Sequence, residues 1–296
     1  MKLKRLIATA TALSLGLCGA AARAETPPPG AVPGPALWQV ADEDTTIYLF
    51  GTVHALPQGK PWFDSRIERA FAAADEMVTE VDLSDQSASA AAMQQAGMLG
   101  EGQSLRDLMT PDNREQFEAA LVGLGLPVAA LDRMEPWMAS LTMSLLPLLR
   151  QGYQTENGVE MALSARAEGK QRGALETVAE QIDLFDGMPM DAQLTFLDKT
   201  VEAMPEAKVS LDAMVAEWIE GDADSLATLL NSELDDPVLY ERLLTRRNAN
   251  WAQWIEQRLQ QPGTVFVAVG AGHLAGTGSV QDQLAARGLK VERIWQ

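Results

Sequence analysis

This chain is short of cysteine, with Cys18 alone among its 296 residues. A single cysteine cannot form a disulfide within the chain, so the fold does not depend on a disulfide framework. Cys18 also lies in an N-terminal segment that we expect to be removed, and the mature chain then has no thiol. That excludes thiolate chemistry and suits an oxidising compartment.

The chain also lacks an apolar run long enough to span a membrane comfortably, and its first apolar stretch belongs to a signal peptide. Three basic residues precede the apolar stretch Leu6–Leu17, and Ala22-Arg23-Ala24 is a small-x-small cleavage signal. We predict a signal peptide over residues 1–24 and a periplasmic or secreted protein. The residues before Cys18 resemble a lipoprotein box, but the leucine next to the cysteine fits that motif poorly.

Basic residues are in the minority, with 23 Lys and Arg against 41 Asp and Glu. Removal of the signal peptide takes away four basic residues and no acidic one, which moves the formal net charge from −18 to −22. Such an acidic chain repels phosphate backbones and anionic bilayers. We therefore expect a peptide or small-molecule substrate and no nucleic acid. The charge leaves the oligomeric state open.

The mature chain is long enough for one large core that carries an insertion. Residues 25–36 are rich in proline and glycine and predict an extended linker, followed by a single domain over residues 37–296. Strands are expected at both ends of the domain with helices between them. This order predicts an α/β fold with a central mixed sheet and a large helical insertion. The predicted strands are 37–40, 46–50, 77–82, 172–175, 264–269 and 289–294.

Several helix boundaries carry capping signals. Ser65 with Glu68 has the pattern of a capping box, Thr110-Pro111 combines a side-chain cap with proline at the first helical position, and Gly288 follows the last helix. The other predicted helices are 136–149, 191–204, 211–220, 225–230 and 237–260.

The two histidines occur in the same frame, Gly51-Thr52-Val53-His54 and Gly270-Ala271-Gly272-His273. Each frame follows an apolar and β-branched run, Thr46–Phe50 or Val265–Val269, that is typical of a buried strand. An α/β sheet presents side chains to ligands where its strands end. The pattern predicts that both imidazoles converge on a metal site. The alternative is a pair of histidines that cap the core separately and never meet.

Carboxylates supply further candidates. Glu80 and Asp82 would share one face of the predicted strand 77–82, and a carboxylate on an apolar strand is costly to bury unless it is paired or binds a cation. The alternative for both is an edge strand that runs into solvent. Glu176 follows another predicted strand, whereas Glu160 is either a site residue or a charge at the start of a helix.

A third set of candidates lies on the predicted helix 237–260. Arg247, Trp251 and Trp254 are spaced so that they share one face. An arginine in this setting is typical of a buried partner for a carboxylate or of a substrate clamp. The alternative is a cation–π stack at the surface.

Taken together, a series of short motifs resembles the TraB/GumN family, which includes the Tiki metalloproteases. The resemblance extends from Leu37 to Trp295, although position 160 is glutamate where that family has aspartate at least as often. It implies an α/β fold similar to the erythromycin-esterase and ChaN-like group, and a divalent-metal hydrolase site built on both histidines and a glutamate. The motifs are Tyr48-Leu49-Phe50-Gly51-Thr52-Val53-His54, Glu80-Val81-Asp82, Pro136-Trp137, Gly158-Val159-Glu160, Leu175-Glu176-Thr177, Trp218 before Gly221-Asp222, Arg247-Asn248 and Val269-Gly270-Ala271-Gly272-His273-Leu274.

The residue types then predict a mechanism. His54, His273 and Glu80 would bind a divalent transition metal (zinc, manganese or cobalt) and leave one position open for water, as in catalytic zinc-like centres. A second carboxylate, Glu160 or Glu176, would take the proton of that water.

Arg247 and Asn248 would hold the substrate carbonyl or steady the carboxylates. Peptide-bond hydrolysis is the leading expectation, followed by hydrolysis of esters or other amides. A rival of a different class is a non-catalytic module that binds haem, iron or another metal through the same histidines.

Overall fold

A mixed six-stranded sheet lies at the centre of the chain in a computed structural model, which describes residues 28, 30–233 and 236–295. The predicted signal peptide lies outside the described residues. The strands are β1 (Leu37–Ala41), β2 (Thr45–Thr52), β3 (Leu56–Pro57), β4 (Glu76–Thr79), β5 (Tyr153–Gln154), β6 (Gln171–Ala174), β7 (Gly263–Gly270) and β8 (Glu292–Arg293).

The sheet has the order β6-β4-β7-β2-β1-β8, and its direction changes at β1. β2 is parallel to β7, and β7 to β4 and β4 to β6, whereas β1 pairs antiparallel with both β2 and β8. This arrangement confirms the expected α/β fold with a mixed sheet. It also brings the carboxyl ends of four parallel strands to one edge.

Both faces of the two central strands are covered. Ile47 and Leu49 of β2 pack in the same core as Val267 of β7, while Phe50 and Phe266 point to the other face. Successive side chains of a strand alternate between faces, and central parallel strands are buried on both sides. The aromatic face is closed by contacts among Phe50, Phe266 and other rings, including Trp62, Phe71 and Trp218.

Helices fill the intervals between β4, β6 and β7, as the sequence predicts. A group of them has its own core, in which Phe117, Leu121, Met143 and Leu197 are fully buried. The helices are α1 (Ser65–Ala73), α2 (Gln86–Ala96), α3 (Leu105–Leu108), α4 (Pro111–Gly123), α5 (Pro136–Arg150), α6 (Val159–Arg166), α7 (Val178–Asp186), α8 (Met190–Ala203), α9 (Ala207–Glu220), α10 (Ala223–Glu233), α11 (Pro237–Tyr240), α12 (Arg246–Arg258) and α13 (Val280–Ala286).

Two of the three capping predictions are confirmed. Thr110 caps α4, with Pro111 as its first residue, and Gly288 has the left-handed backbone (φ 78°) of a residue just past a helix. The capping box at Ser65 is wrong. Asp64 is the N-cap of α1, because its carboxylate accepts hydrogen bonds from the backbone N–H groups of both Arg66 and Ile67.

Several predicted elements differ in extent, and the strand predicted over residues 289–294 is reduced to the two residues of β8. The strand predicted over residues 77–82 is β4, which ends at Thr79, and the Thr79 hydroxyl donates to the carbonyl of Val81 just beyond it. The helix predicted over residues 237–260 is divided by a π-helical turn at Glu241–Thr245, directly before Arg246. The helices α2, α3, α6 and α7 and the short strands β3 and β5 were not predicted.

Arg66 joins segments near the two ends of the described chain. Its guanidinium is buried, pairs with Asp64, and donates to the carbonyls of Pro35 (3.2 Å) and Ile294 (2.9 Å). Pro35 belongs to the predicted linker, whose last residue, Ala36, is buried. Among the described residues, no helix has the length and apolar character needed to cross a bilayer.

We predict that Arg66→Met lowers the free energy of unfolding by about 3 kcal/mol, because it leaves two carbonyls and a carboxylate without their buried charged donor. Urea denaturation followed by circular dichroism measures this. Arg69→Met on the exposed side of the same helix is the matched control and should change stability by less than about 0.5 kcal/mol. Equal effects at the two positions would show that the buried contacts of Arg66 contribute little.

Candidate functional site

Four of the predicted site residues follow the carboxyl ends of the four parallel strands. His54 comes after β2, Glu80 directly after β4, Glu176 after β6 and His273 after β7. The backbone N–H of Glu176 donates to the carbonyl of Glu80 (2.8 Å), which continues the pairing of β4 and β6 beyond the strands and sets the two carboxylates side by side. The sheet therefore brings together residues that lie up to 219 positions apart.

His54 is oriented by Glu160. Its Nδ1 lies 2.6 Å from Glu160 Oε1, which also accepts a hydrogen bond from the Thr52 hydroxyl at 2.5 Å. The start of α6 approaches this loop closely, since a Cβ on Gly158 would overlap the His54 carbonyl oxygen. Glu160 thus lies in the first turn of α6 and also pairs with His54, so it meets both descriptions that the sequence left open.

The electrostatics of this pair favour a proton on His54. The negative charge and hydrogen bond of Glu160 raise the pKa of His54 from 6.5 to about 9. The same contact lowers the pKa of Glu160 against the effect of its burial. His54 is 72% exposed, so its other ring nitrogen is accessible from solvent.

His273 is oriented by Asn248. Its Nδ1 lies 2.6 Å from Asn248 Oδ1, and the amide nitrogen of Asn248 donates to the carbonyl of Gly278 at 2.8 Å. The Asn248 oxygen must therefore accept from Nδ1–H, which leaves the lone pair of His273 on Nε2. Burial and the nearby Arg247 lower the pKa of His273 to about 3, so the ring is neutral.

Arg247 lies at the centre of the site and uses all five of its N–H groups. Nε and Nη2 donate to the two carboxylate oxygens of Glu176 at 2.8 and 2.9 Å. Nη2 also donates to Glu80 Oε2 at 2.7 Å. Nη1 donates to His273 Nε2 (2.9 Å) and to the Leu243 carbonyl (3.2 Å). Leu243 belongs to the π-helical turn, a type of insertion that is frequent at functional sites. Arg247 is thus a buried partner for two carboxylates, and its guanidinium also lies 4.7 Å from the centre of the Trp251 ring.

Glu80 is ionised in this setting. Burial alone would raise its pKa, but the charges of Arg247 and of protonated His54 and the backbone N–H of Gly270 lower it. Oε1 accepts that N–H at 2.7 Å. Asp82 takes no part in the site: it is exposed and binds Ser84 in the following turn. The expectation that it shares a strand face with Glu80 is wrong, because the strand ends before both residues.

Gly270 marks the point where the three predicted metal ligands converge. A Cβ on this residue would lie 3.2 Å from Glu80 Oε1, 3.6 Å from His273 Cδ2 and 3.8 Å from His54 Nε2. Glu80 Oε1 and His273 Nε2 are 3.9 Å apart, close to the roughly 3.4 Å expected of two ligands on one tetrahedral ion. The pair of imidazoles and one carboxylate thus fits a divalent ion in donor type and in proximity.

One hydrogen bond keeps one of the three predicted ligand atoms occupied. His273 Nε2, the nitrogen that a metal would need, accepts a hydrogen bond from Arg247. In the described part of the chain, no group of three histidine, cysteine, aspartate or glutamate side chains is already arranged to hold a metal ion.

Two residues of the site had not been singled out from the sequence. Thr52 holds Glu160, and the Gln181 amide donates to both Glu80 (3.1 Å) and Glu176 (3.3 Å). Thr52 lies inside the first histidine motif and is the last residue of β2, so its place at a strand end was the signal in the sequence that could have identified it. Gln181 lies on α7, which was not predicted. A cavity of about 820 Å³ lies elsewhere, between β1, β8 and α13, and contains none of the site residues.

The fold and the site define an α/β protein with a histidine–carboxylate centre at the carboxyl edge of its parallel strands. Comparison with protein families gives the particular group: a model of the TraB/PrgY/gumN family matches residues 36–293, and the chain belongs to this family. The resemblance seen in the sequence motifs is confirmed.

The relatives include proteins with and without an assigned activity. An uncharacterised protein of Treponema pallidum is 23% identical over 85% of this chain and 80% of its own length. The protein YbaP of Escherichia coli is 22% identical over 80% of this chain and 87% of its own. Metalloprotease TIKI2 of Danio rerio is 25% identical over 83% of this chain, which spans only 58% of that relative. No solved structure matches the chain.

We predict that the two histidines titrate far apart. Long-range ¹H–¹⁵N spectra of the metal-free protein should show His54 losing its proton near pH 9 and His273 neutral throughout the neutral range. Folding raises the pKa of His54, so its pairing with Glu160 stabilises the protein fully below about pH 6.5, and that contribution disappears as the pH rises through about 9.

Glu160→Gln should move the pKa of His54 back towards 6.5 and leave His273 unchanged, since the amide accepts the same hydrogen bond without the charge. Glu156→Gln, at an exposed position one turn earlier, is the control. A His54 pKa that is the same in both variants would contradict the assigned pairing.

Proposed function

We propose that this chain is an exported metal-dependent hydrolase that cleaves peptide bonds. One observation carries the proposal: both histidines bind an oxygen acceptor through Nδ1, while Glu80 lies among their rings. Histidines that bind metals in proteins usually donate their second ring N–H to a carboxylate or carbonyl oxygen. The same arrangement occurs at two separate strand ends, in the only two histidines of the chain.

The charges of the site also favour a divalent ion. Glu80, Glu160 and Glu176 carry three negative charges, and Arg247 carries one positive charge. A divalent ion would balance them while His54 is neutral, so the buried cluster would have no net charge. A buried cluster without net charge avoids the large cost of isolated buried ions.

The relatives support the choice of reaction and of cofactor. TIKI1 and TIKI2 are both described as metalloproteases, and the matches to them extend over most of this chain. Their names support a peptide as the substrate and a metal as the cofactor. Ester and other amide bonds are the next candidates. A periplasmic location and the likeness to the erythromycin-esterase and ChaN-like group are parts of the same proposal.

In this proposal His54, His273 and Glu80 hold the ion, a divalent transition metal of the zinc, manganese or cobalt type. When bound, such an ion supplies Lewis acidity that polarises a carbonyl and makes water a better nucleophile at neutral pH. Glu160 is the best-placed carboxylate to take a proton, because it borders the exposed His54. Glu176 has a positioning role, since Arg247 and the Trp251 indole N–H occupy both of its oxygens. Asn248 likewise positions His273.

We predict that the purified protein carries about one transition-metal ion per chain, and that His54→Ala and His273→Ala each lose it. Loss of a supporting residue usually costs 10–100-fold in metal affinity, so loss of a ligand should cost more. Elemental analysis of the three proteins measures this. Equal metal content in all three would contradict the proposed ligands, and a haem absorption band that depends on the histidines would favour a non-catalytic binding module.

Glu160→Gln should reduce peptide hydrolysis by at least about 10²-fold at saturating metal, because the amide preserves the hydrogen bonds but cannot take a proton. Fragments released from a peptide library, detected by mass spectrometry, give the turnover. Glu156→Gln is the matched control and should retain wild-type activity. If the wild-type protein binds metal but cleaves no peptide, ester or amide, the hydrolase proposal is wrong.

A further inference from the structure

The site contains a cation of its own in the place where the proposed ligands would meet a metal. We infer that the Arg247 guanidinium closes the metal site in the metal-free protein, and that a divalent ion enters only when Arg247 Nη1 releases His273 Nε2. This inference rests on the proposed function for the identity of the site. Arg247 is then a positioning residue that competes with the ion for one ligand.

The competition is for a single lone pair. Asn248 fixes the Nδ1–H form of His273, so Nε2 has one lone pair and Arg247 Nη1 occupies it at 2.9 Å. An ion at this nitrogen and the guanidinium N–H cannot share that lone pair. Arg247 does not occupy the ligand atoms of the other two residues: His54 Nε2 lies in an exposed ring that can give up its proton to solvent, and Glu80 binds Arg247 through Oε2 while its Oε1 faces Gly270.

The release of His273 does not require Arg247 to leave the site. Three of its five N–H contacts go to Glu176 and to the Leu243 carbonyl, and a fourth goes to Glu80 Oε2. Stacking on the Trp251 ring also holds the guanidinium plane. A small rotation that gives up one hydrogen bond would open Nε2 while the ion pair with Glu176 persists. The guanidinium would still lie close to the ion, and its charge would weaken metal binding.

Zinc binding to the purified protein tests this inference. Arg247→Gln removes the charge and the hydrogen bond to His273, and should bind zinc at least about tenfold more tightly than the wild type in equilibrium dialysis. Arg246→Gln, at the exposed neighbouring position, is the matched control and should bind zinc as the wild type does. Circular dichroism checks that each variant is folded.

A second measurement uses the wild-type protein alone, in case Arg247→Gln does not fold. Zinc should shift the Nε2 resonance of His273 in long-range ¹H–¹⁵N spectra and leave its Nδ1 protonated. Zinc bound without any shift of His273, or a shift at Nδ1 in place of Nε2, would overturn the inference.

The outcomes separate this inference from the proposed function. Equal or weaker zinc binding by Arg247→Gln, with the wild type binding through both histidines, overturns the role of Arg247 and leaves the metal-dependent hydrolase intact. If Arg247→Gln binds zinc and the wild type does not, the role of Arg247 is supported and metal dependence of the natural protein is contradicted. Failure of both folded proteins to bind zinc overturns both.

Discussion

A single guanidinium, that of Arg247, lies between two carboxylates and an imidazole that come from three different strand ends. Glu80 and Glu176 are only 14% and 11% exposed, and burial of a carboxylate charge is costly unless a partner of opposite charge lies beside it. Removal of one partner from a buried ion pair typically costs about 3–5 kcal/mol. The ends of β4, β6 and β7 are therefore tied to α12 through one side chain, and the geometry of the site depends on it.

The two histidines show how strongly surroundings act on identical local motifs. Both follow a glycine by three residues at the end of a parallel strand. His54 is exposed and faces a carboxylate, so its pKa rises, whereas His273 is buried beside an amide and a guanidinium, so its pKa falls. The pair thus combines one ring that carries a proton at neutral pH with one that is neutral there and offers a lone pair.

Much of the fold could be predicted, because its strongest signals are local. β2 and β7 are apolar runs that end in glycine, and α4 has a capping threonine followed by proline. The errors arise where competing local groups have similar energies. Asp64 caps α1 in preference to Ser65 because a carboxylate binds two N–H groups at once, and β4 stops at Thr79 because its hydroxyl bonds to the next turn. Weakly amphipathic α2 has no buried residue, so its pattern carried little information.

The sequence by itself determined the residue types of the site: two histidines in one frame, glutamates after strands, and an arginine on a helix near tryptophans. Those choices limit the chemistry, because only a few side chains can bind a metal or neutralise a buried carboxylate. The tertiary structure decided which atoms meet. It placed Glu160 beside His54 and Thr52 beside Glu160, Asn248 and Arg247 at the two nitrogens of His273, and Gln181 between two carboxylates. These contacts join residues far apart in the chain, and only the parallel register of the sheet and the packing of α6, α7 and α12 against its edge bring them within hydrogen-bonding distance.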